Sequence, residues 1–163
     1  MTPEDKRHLE AAEGWLGLGD AAEASKELES VSPEQNDHPD VLKARYGILA
    51  ARNEWEAAAE LARLLCKLRP KDSFGWIHQA YALHEMKRTQ EAYDIVSSVI
   101  DKFPRDYLFC YNLACYSCQL GKTPDAWRWL EKAVKLSKRD LQDMAMSDPD
   151  LEPLWARGRK RTR

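Results

Sequence analysis

Ala24, Ala58, Ala92 and Ala126 stand 34 residues apart, three times in succession, with no insertion or deletion between them. A fixed period of this length is one supersecondary unit, and here it is long enough for two helices and a turn. Such a unit cannot bury its apolar face alone, so successive copies must stack. The alanine spacing therefore predicts an all-α solenoid of four helix-turn-helix pairs. Solenoids of this sort present surfaces to other chains, and seldom carry out chemistry.

The chain of 163 residues divides into four rows, 5–38, 39–72, 73–106 and 107–140, opening at Asp5, Pro39, Ser73 and Tyr107. Each row reads as a first helix of about fourteen residues, a turn and a second helix. The alanine column lies early in the second helix, where two helices cross closely and a larger side chain does not fit. A second small column in the first helix reads Ala12, Tyr46, Ala80 and Ala114, with Tyr46 the departure. Two further columns, Leu28, Ala62, Val96, Leu130 and Val31, Leu65, Val99, Ala133, complete a stripe at spacings of four and three that faces the partner helix. Pro70 and Pro104 close rows two and three in one column, where proline stops a helix. Asn36 and Lys138 hold that place in rows one and four.

The turns inside the rows are readable too. Gly19-Asp20 and Gly121-Lys122 give a glycine cap to the first helix, and Asn53-Glu54 gives the next-best residue. Row three has Lys87-Arg88 and no cap glycine, which predicts strain or a water-satisfied helix end there. Thr123-Pro124 reads as an N-cap followed by proline at the first helical position.

These residues resemble the tetratricopeptide repeat family. Row three is most similar (Trp76, Ala80, Leu83, Ala92, Val99, Pro104), and row four follows with Asn112-Leu113-Ala114, Leu120-Gly121, Ala126 and Ala133. Row two matches through Leu42, Trp55, Ala58 and Pro70, and row one through Ala12, Leu18-Gly19-Asp20 and Ala24. The resemblance spans about five sixths of the chain and implies a right-handed solenoid. After row four, Arg139 to Ser147 reads as an amphipathic capping helix. Ser147 to Trp155 should form a short turn that folds Leu151, Leu154 and Trp155 back onto the stack, so that 141–156 is a capping segment of the single solenoid domain 1–156. This ending resembles one found in bacterial repeat proteins of the type.

The resemblance also implies where a ligand sits. The first helix of each pair lines the inner wall, and a stripe at i, i+3, i+7 and i+10 points into the groove. In row one it is Lys6, Leu9, Glu13 and Leu16, and in row two Asp40, Lys43, Gly47 and Ala50. Rows three and four supply Phe74, Ile77, Tyr81 and His84, then Leu108, Tyr111, Cys115 and Cys118, an apolar and aromatic wall. The expected partner-binding residues are Lys43, Phe74, Ile77, Tyr81, His84, Leu108, Tyr111, Asn112 and Cys115. Each apolar anchor buried there contributes roughly 1.5–3 kcal/mol. Two arrangements stay open: an accessible groove, or a groove filled by the C-terminal helix or the Trp155 segment. Some relatives clamp a C-terminal carboxylate with lysine, arginine and asparagine. Here only Lys43 and Asn112 match, while Leu9, Glu13, Ala44, Phe74, Gly47, His78 and Leu108 hold the other places, which argues against that activity.

Other signals point away from chemistry. Cys110, Cys115 and Cys118 have a spacing some iron–sulfur proteins use, but Cys110 turns away from the other two on a helix, so they read as small packing residues. Cys115 and Cys118 would be reactive only in an open groove. His84-Glu85 begins like a zinc protease motif and lacks the second histidine. No nucleophile stands with its base, and no phosphate loop is present. We expect a non-catalytic protein-protein interaction module without cofactor or metal, acting as a scaffold, adaptor or chaperone. The alternative is a structural subunit that self-associates as a homodimer. No apolar run approaches the ~20 residues of a membrane span. With the polar N-terminus, this predicts a cytoplasmic protein with reduced thiols. The net charge of −2 hides a basic end: Arg157, Arg159, Lys160, Arg161 and Arg163 form an expected flexible tail, 157–163, with no aromatics for specific nucleic-acid reading.

Overall fold

In a computed structural model, which describes residues 1–137 and 140–159, the chain is helical throughout, and the side chains of 157–159 are not described. Among the described residues there are ten α-helices and no strands: α1 Pro3–Gly17, α2 Ala21–Glu29, α3 Pro39–Ala51, α4 Trp55–Leu68, α5 Ser73–Glu85, α6 Thr89–Val99, α7 Tyr107–Gln119, α8 Thr123–Leu136, α9 Gln142–Ser147 and α10 Glu152–Arg159. Helices α3, α5 and α7 start 34 residues apart, as do α2, α4, α6 and α8. Among the described residues no helix is long and apolar enough to cross a membrane.

The chain falls into two compact units, Met1–Ala82 and Leu83–Arg163. In the first, the core gathers Leu9, Ala12, Ala24, Leu28, Val31, Val41, Ala44 and Ile48, with Leu16 against it. Helix α1 begins two residues before the predicted Asp5. Thr2 is its N-cap, and Asp5 completes a capping box with it. Asp5 also accepts from the Ser32 N–H at 2.9 Å and the Ser32 hydroxyl at 2.6 Å, tying the end of row one to its start. The Ser32 bonds, with those from Thr2, hold the Asp5 carboxyl far below its usual range. Gly75 in α5 sits where a Cβ would come within 2.8 Å of the Cys66 backbone nitrogen, so rows two and three meet backbone to backbone.

In the second unit, α7 is the central element. Phe109, Leu113, Ala114 and Tyr116 are fully or nearly fully buried, and α8 lies along it through Ala126, Leu130 and Ala133. The capping segment is built around a tight turn. Asp148 accepts from the Asp150 N–H at 2.9 Å, Pro149–Leu151 makes a single 3-10 turn, and Leu151 and Leu154 are buried. The predicted capping helix is shorter than expected, because α9 starts at Gln142 and 138–139 lie outside the described residues. Of the expected tail 157–163, the backbone of 157–159 continues α10, and residues 160–163 lie outside the described residues.

All four alanines of the founding column are fully buried, as are Ala12, Ala80 and Ala114. Tyr46 is buried as well: its hydroxyl donates to the His78 carbonyl at 3.1 Å and its ring packs edge-on to Phe74 and His78. The turns repeat the same period. Gly19, Asn53, Lys87 and Gly121 all have positive φ, at 82°, 57°, 63° and 74°. Each is followed by a residue whose N–H reaches back to close the helix: Asp20 to Trp15, Glu54 to Leu49, Arg88 to Leu83 and Lys122 to Ser117, at 2.8–2.9 Å. Row three therefore carries the predicted strain, and its helix end is satisfied by backbone rather than by water. At α8 the expected cap is displaced by one residue: Lys122 is the N-cap, and Thr123 is already helical.

Candidate functional site

The predicted groove residues divide between the two units, and the units treat them differently. In the first unit Lys43, on α3, is taken by Asp72, with Nζ 2.6 Å from the carboxylate, and stands 5.3 Å above the Phe74 ring. Burial raises the Asp72 pKa, but the Lys43 bond and the Phe74 N–H outweigh it and leave the carboxyl below its usual range. Lys43 is thus a neutralised cation that shelves an aromatic ring. Phe74 stacks on His78 at 3.8 Å, and burial lowers the His78 pKa. This arrangement suits an apolar contact rather than a carboxylate clamp. Ile77 is buried, a packing residue and not a groove residue. Tyr81 is 42% exposed, its ring edge-on to Trp55 at 5.8 Å.

In the second unit the chain's own 148–150 turn occupies the predicted wall. The Tyr111 hydroxyl donates to Asp148 at 2.8 Å, and the Cys115 thiol lies 3.7 Å from the same oxygen. His84 Nε2 donates to Asp150 at 2.9 Å while its Nδ1 stands 2.9 Å from Thr89 Oγ1. The Gln119 amide donates to the Asp150 carbonyl at 2.8 Å. His84, Tyr111 and Cys115 are consequently buried. Of the two arrangements the sequence left open, the filled one holds at these three residues. Leu108, 37% exposed, and half-buried Asn112 remain at the surface of α7.

The electrostatics follow from that seat. Burial, and then the bond to Asp148, push the Tyr111 hydroxyl far above its normal range. Burial followed by the two carboxylates does the same to the Cys115 thiol. The His84 bond outweighs burial and keeps Asp150 below its usual value. Cys115, Asp148 and Asp150 offer atoms within 4.8 Å of one another, the spacing of a metal cluster. Each already has a hydrogen-bond partner, and the thiol is held in its protonated form, so the group reads as a latch. None of the four cysteines is in a disulfide and all are buried, as small packing residues are, and burial lifts the Cys66 thiol to about 11; the open groove that a reactive Cys115 requires is closed at that residue.

No family model matches the chain, and no curated protein matches it either. Solved structures do. A thermophilic TPR protein from Thermus thermophilus aligns with a TM-score of 0.76 at 17% identity over 96% of this chain and 89% of its own. MamA 41-end from Desulfovibrio magneticus RS-1 gives 0.71 at 19% identity, over 98% and 94%. The type III secretion translocator chaperone SycD of Yersinia enterocolitica gives 0.66 at 17% identity, over 81% and 100%. The chain has a tetratricopeptide-repeat fold. Identities this low carry the fold alone, so the reading of the tetratricopeptide surface rests on the residues above. Sequence reasoning missed Asp72, Trp55 and the pair Asp148 and Asp150. The last pair lies within the short turn expected over Ser147 to Trp155, and nothing in its spacing announced the partners on α7.

Proposed function

We propose that the chain is a non-catalytic protein-binding module, an adaptor or chaperone-like scaffold, that holds an apolar or aromatic segment of a partner protein against α5. The observation that carries this reading is Tyr81, a large ring exposed on a helix whose neighbouring aromatics, Phe74 and His78, are stacked and half-buried. Exposed aromatic surface on a rigid element is an anchor site for another chain. The engagement of Lys43 by Asp72 favours apolar anchoring over recognition of a terminal carboxylate. Leu108 and Asn112 on α7 are a second contact, tested separately. Buried thiols outside any disulfide suit a reducing compartment, and we assign the protein to the cytoplasm.

The test is affinity capture with mass spectrometry, comparing the wild type with Tyr81→Ala and Leu108→Ala. Both side chains are exposed, so helicity by circular dichroism should not change. Partner recovery should fall sharply with Tyr81→Ala. Undiminished recovery with a folded variant refutes the site. Tyr111→Ala is a poor probe, because it removes the hydroxyl that seats Asp148.

A further inference from the structure

Three columns of the repeat change character where α2 meets α3, inside the first unit. A cleft of about 400 Å³ lies there, lined by Leu28, Ile48 and Leu49, with Ser25 on the α2 side and Arg45 and Arg52 along α3. Two rows later, in the second unit, the same columns hold Tyr93 for Ser25 and Leu113 and Leu120 for the two arginines. Leu113 is fully buried. A junction that one pair of rows builds from a phenol and two leucines thus has a hydroxymethyl group and two guanidinium groups here. The short side chain leaves space, and the arginines give that space a charge. The charge is not neutralised inside the fold. Arg45 donates to the Asn36 side-chain carbonyl at 3.2 Å and Arg52 to the Ala21 carbonyl at 3.4 Å, both neutral acceptors. Neither arginine stands in an ion pair among the described residues, although Met1–Ala82 holds fifteen acidic residues against ten basic. A guanidinium has five N–H donors, so most of each fork is left for a ligand.

We propose that this cleft docks an amphipathic helical segment of a partner protein, with carboxylates at i and i+7 seated on Arg45 and Arg52. The spacing selects this occupant. The two arginines lie on one face of α3, seven residues and roughly 10 Å apart, so one small anion cannot engage both. Two acids separated by two helical turns can, and the apolar side chains between them meet Leu28, Ile48 and Leu49. Charge sets the rest. Glu29 is the one acid on the lining and sits on the α2 side, so the segment's acids must face α3. The acidic unit around the cleft repels a long acidic run, so the fit is to two acids and not to many. The inference does not depend on the α5 site: Tyr81→Ala leaves this cleft intact, and changes at Arg45 leave Tyr81 intact.

Fluorescence anisotropy with labelled synthetic helical peptides tests it. All carry leucines at i+3 and i+4. One has glutamates at i and i+7, a second has glutamines there, and a third moves the glutamates to i+2 and i+9, on the opposite face at equal charge. The first should bind the wild type in the micromolar range, and the other two about tenfold more weakly or worse. Arg45→Gln and Arg52→Gln should each weaken the first peptide about fivefold or more, and Glu29→Gln should tighten it. Tyr81→Ala should bind it as the wild type does. Ser25→Tyr, which installs the side chain of row three, should close the cleft and abolish binding. Helicity by circular dichroism checks each variant; Arg52 and Glu29 are exposed, so their variants keep the test standing should Ser25→Tyr disturb packing. A wild type that ignores the first peptide, equal binding of the rotated peptide, or folded arginine variants that bind undiminished overturns the proposal.

Discussion

Lys87 occupies a backbone conformation that its three counterparts fill with Gly19, Asn53 and Gly121, and it is the least suited of the four. An L-residue in the left-handed region costs roughly 1–2 kcal/mol. Lys87→Gly removes that cost but frees the unfolded chain by roughly 0.4–1 kcal/mol. Lys87 is exposed, so no packing is lost. The net expectation is a stabilisation of about 0.5–1 kcal/mol, or ~1–4 °C in Tm for a chain of this length. The turn's own bonds, from Lys87 to His84 at 2.8 Å and from Arg88 to Leu83 at 2.9 Å, use backbone groups and survive the change. Gly121→Lys is the mirror experiment and should destabilise by a similar amount. Asn53→Gly should gain less, since asparagine tolerates this region. Urea and thermal melts followed at 222 nm decide it. A neutral or destabilising Lys87→Gly, together with a harmless Gly121→Lys, would refute the idea that row three stores strain at its turn.

Three further expectations rest on other parts of the molecule. Gly75→Ala should destabilise by ~1–3 kcal/mol in urea melts, because its Cβ meets Cys66 and Ala62 backbone at 2.8 and 3.0 Å. Gly47→Ala, which meets only the Leu16 methyl at 2.9 Å, should be near neutral, its helix-propensity gain offset by that contact. Asp150→Asn should cost ~1 kcal/mol at neutral pH. Asp150 titrates lower in the folded chain than in the unfolded one, so its contribution is complete above about pH 4 and fades as pH falls through the folded value; the gap between wild type and variant should close in acid melts. The four thiols should resist a maleimide in the native protein and react in denaturant, and rapid native labelling of Cys115 would show that the 148–150 turn opens.

Much of the fold was legible because the period acts on every column at once. The alanine column, the small column and the turn positions all land where the 34-residue spacing puts them, and even the missing glycine at Lys87 reads correctly as strain. Tyr46 was legible only as a misfit; its hydroxyl bond to His78, 32 residues away, needs coordinates. Thr123 was misplaced by one residue because a threonine before a proline resembles a cap, while the backbone turns at Gly121 and Lys122. The site was legible in part. Helical spacing places Tyr81 and Leu108, both exposed, on the same stripe as His84, Tyr111 and Cys115, and it cannot tell that the last three are covered. Their covering residues lie beyond the last row, outside the period, so no column predicts the contact. Ile77 failed for a simpler reason: a one-helix stripe cannot register how closely neighbouring helices approach.

The seat of Asp148 and Asp150 also bears on where this chain can be shortened. Cutting after row four, a natural boundary by repeat counting, strips the imidazole of His84, the phenol of Tyr111 and the sulfhydryl of Cys115 of their carboxylate neighbours in one stroke. Water would enter a pocket built to be dry, and an inert thiol would become available to oxidants. A trimmed protein that clumps and forms crosslinks would be reporting the loss of its own stopper, and its stickiness should not be taken for ligand binding.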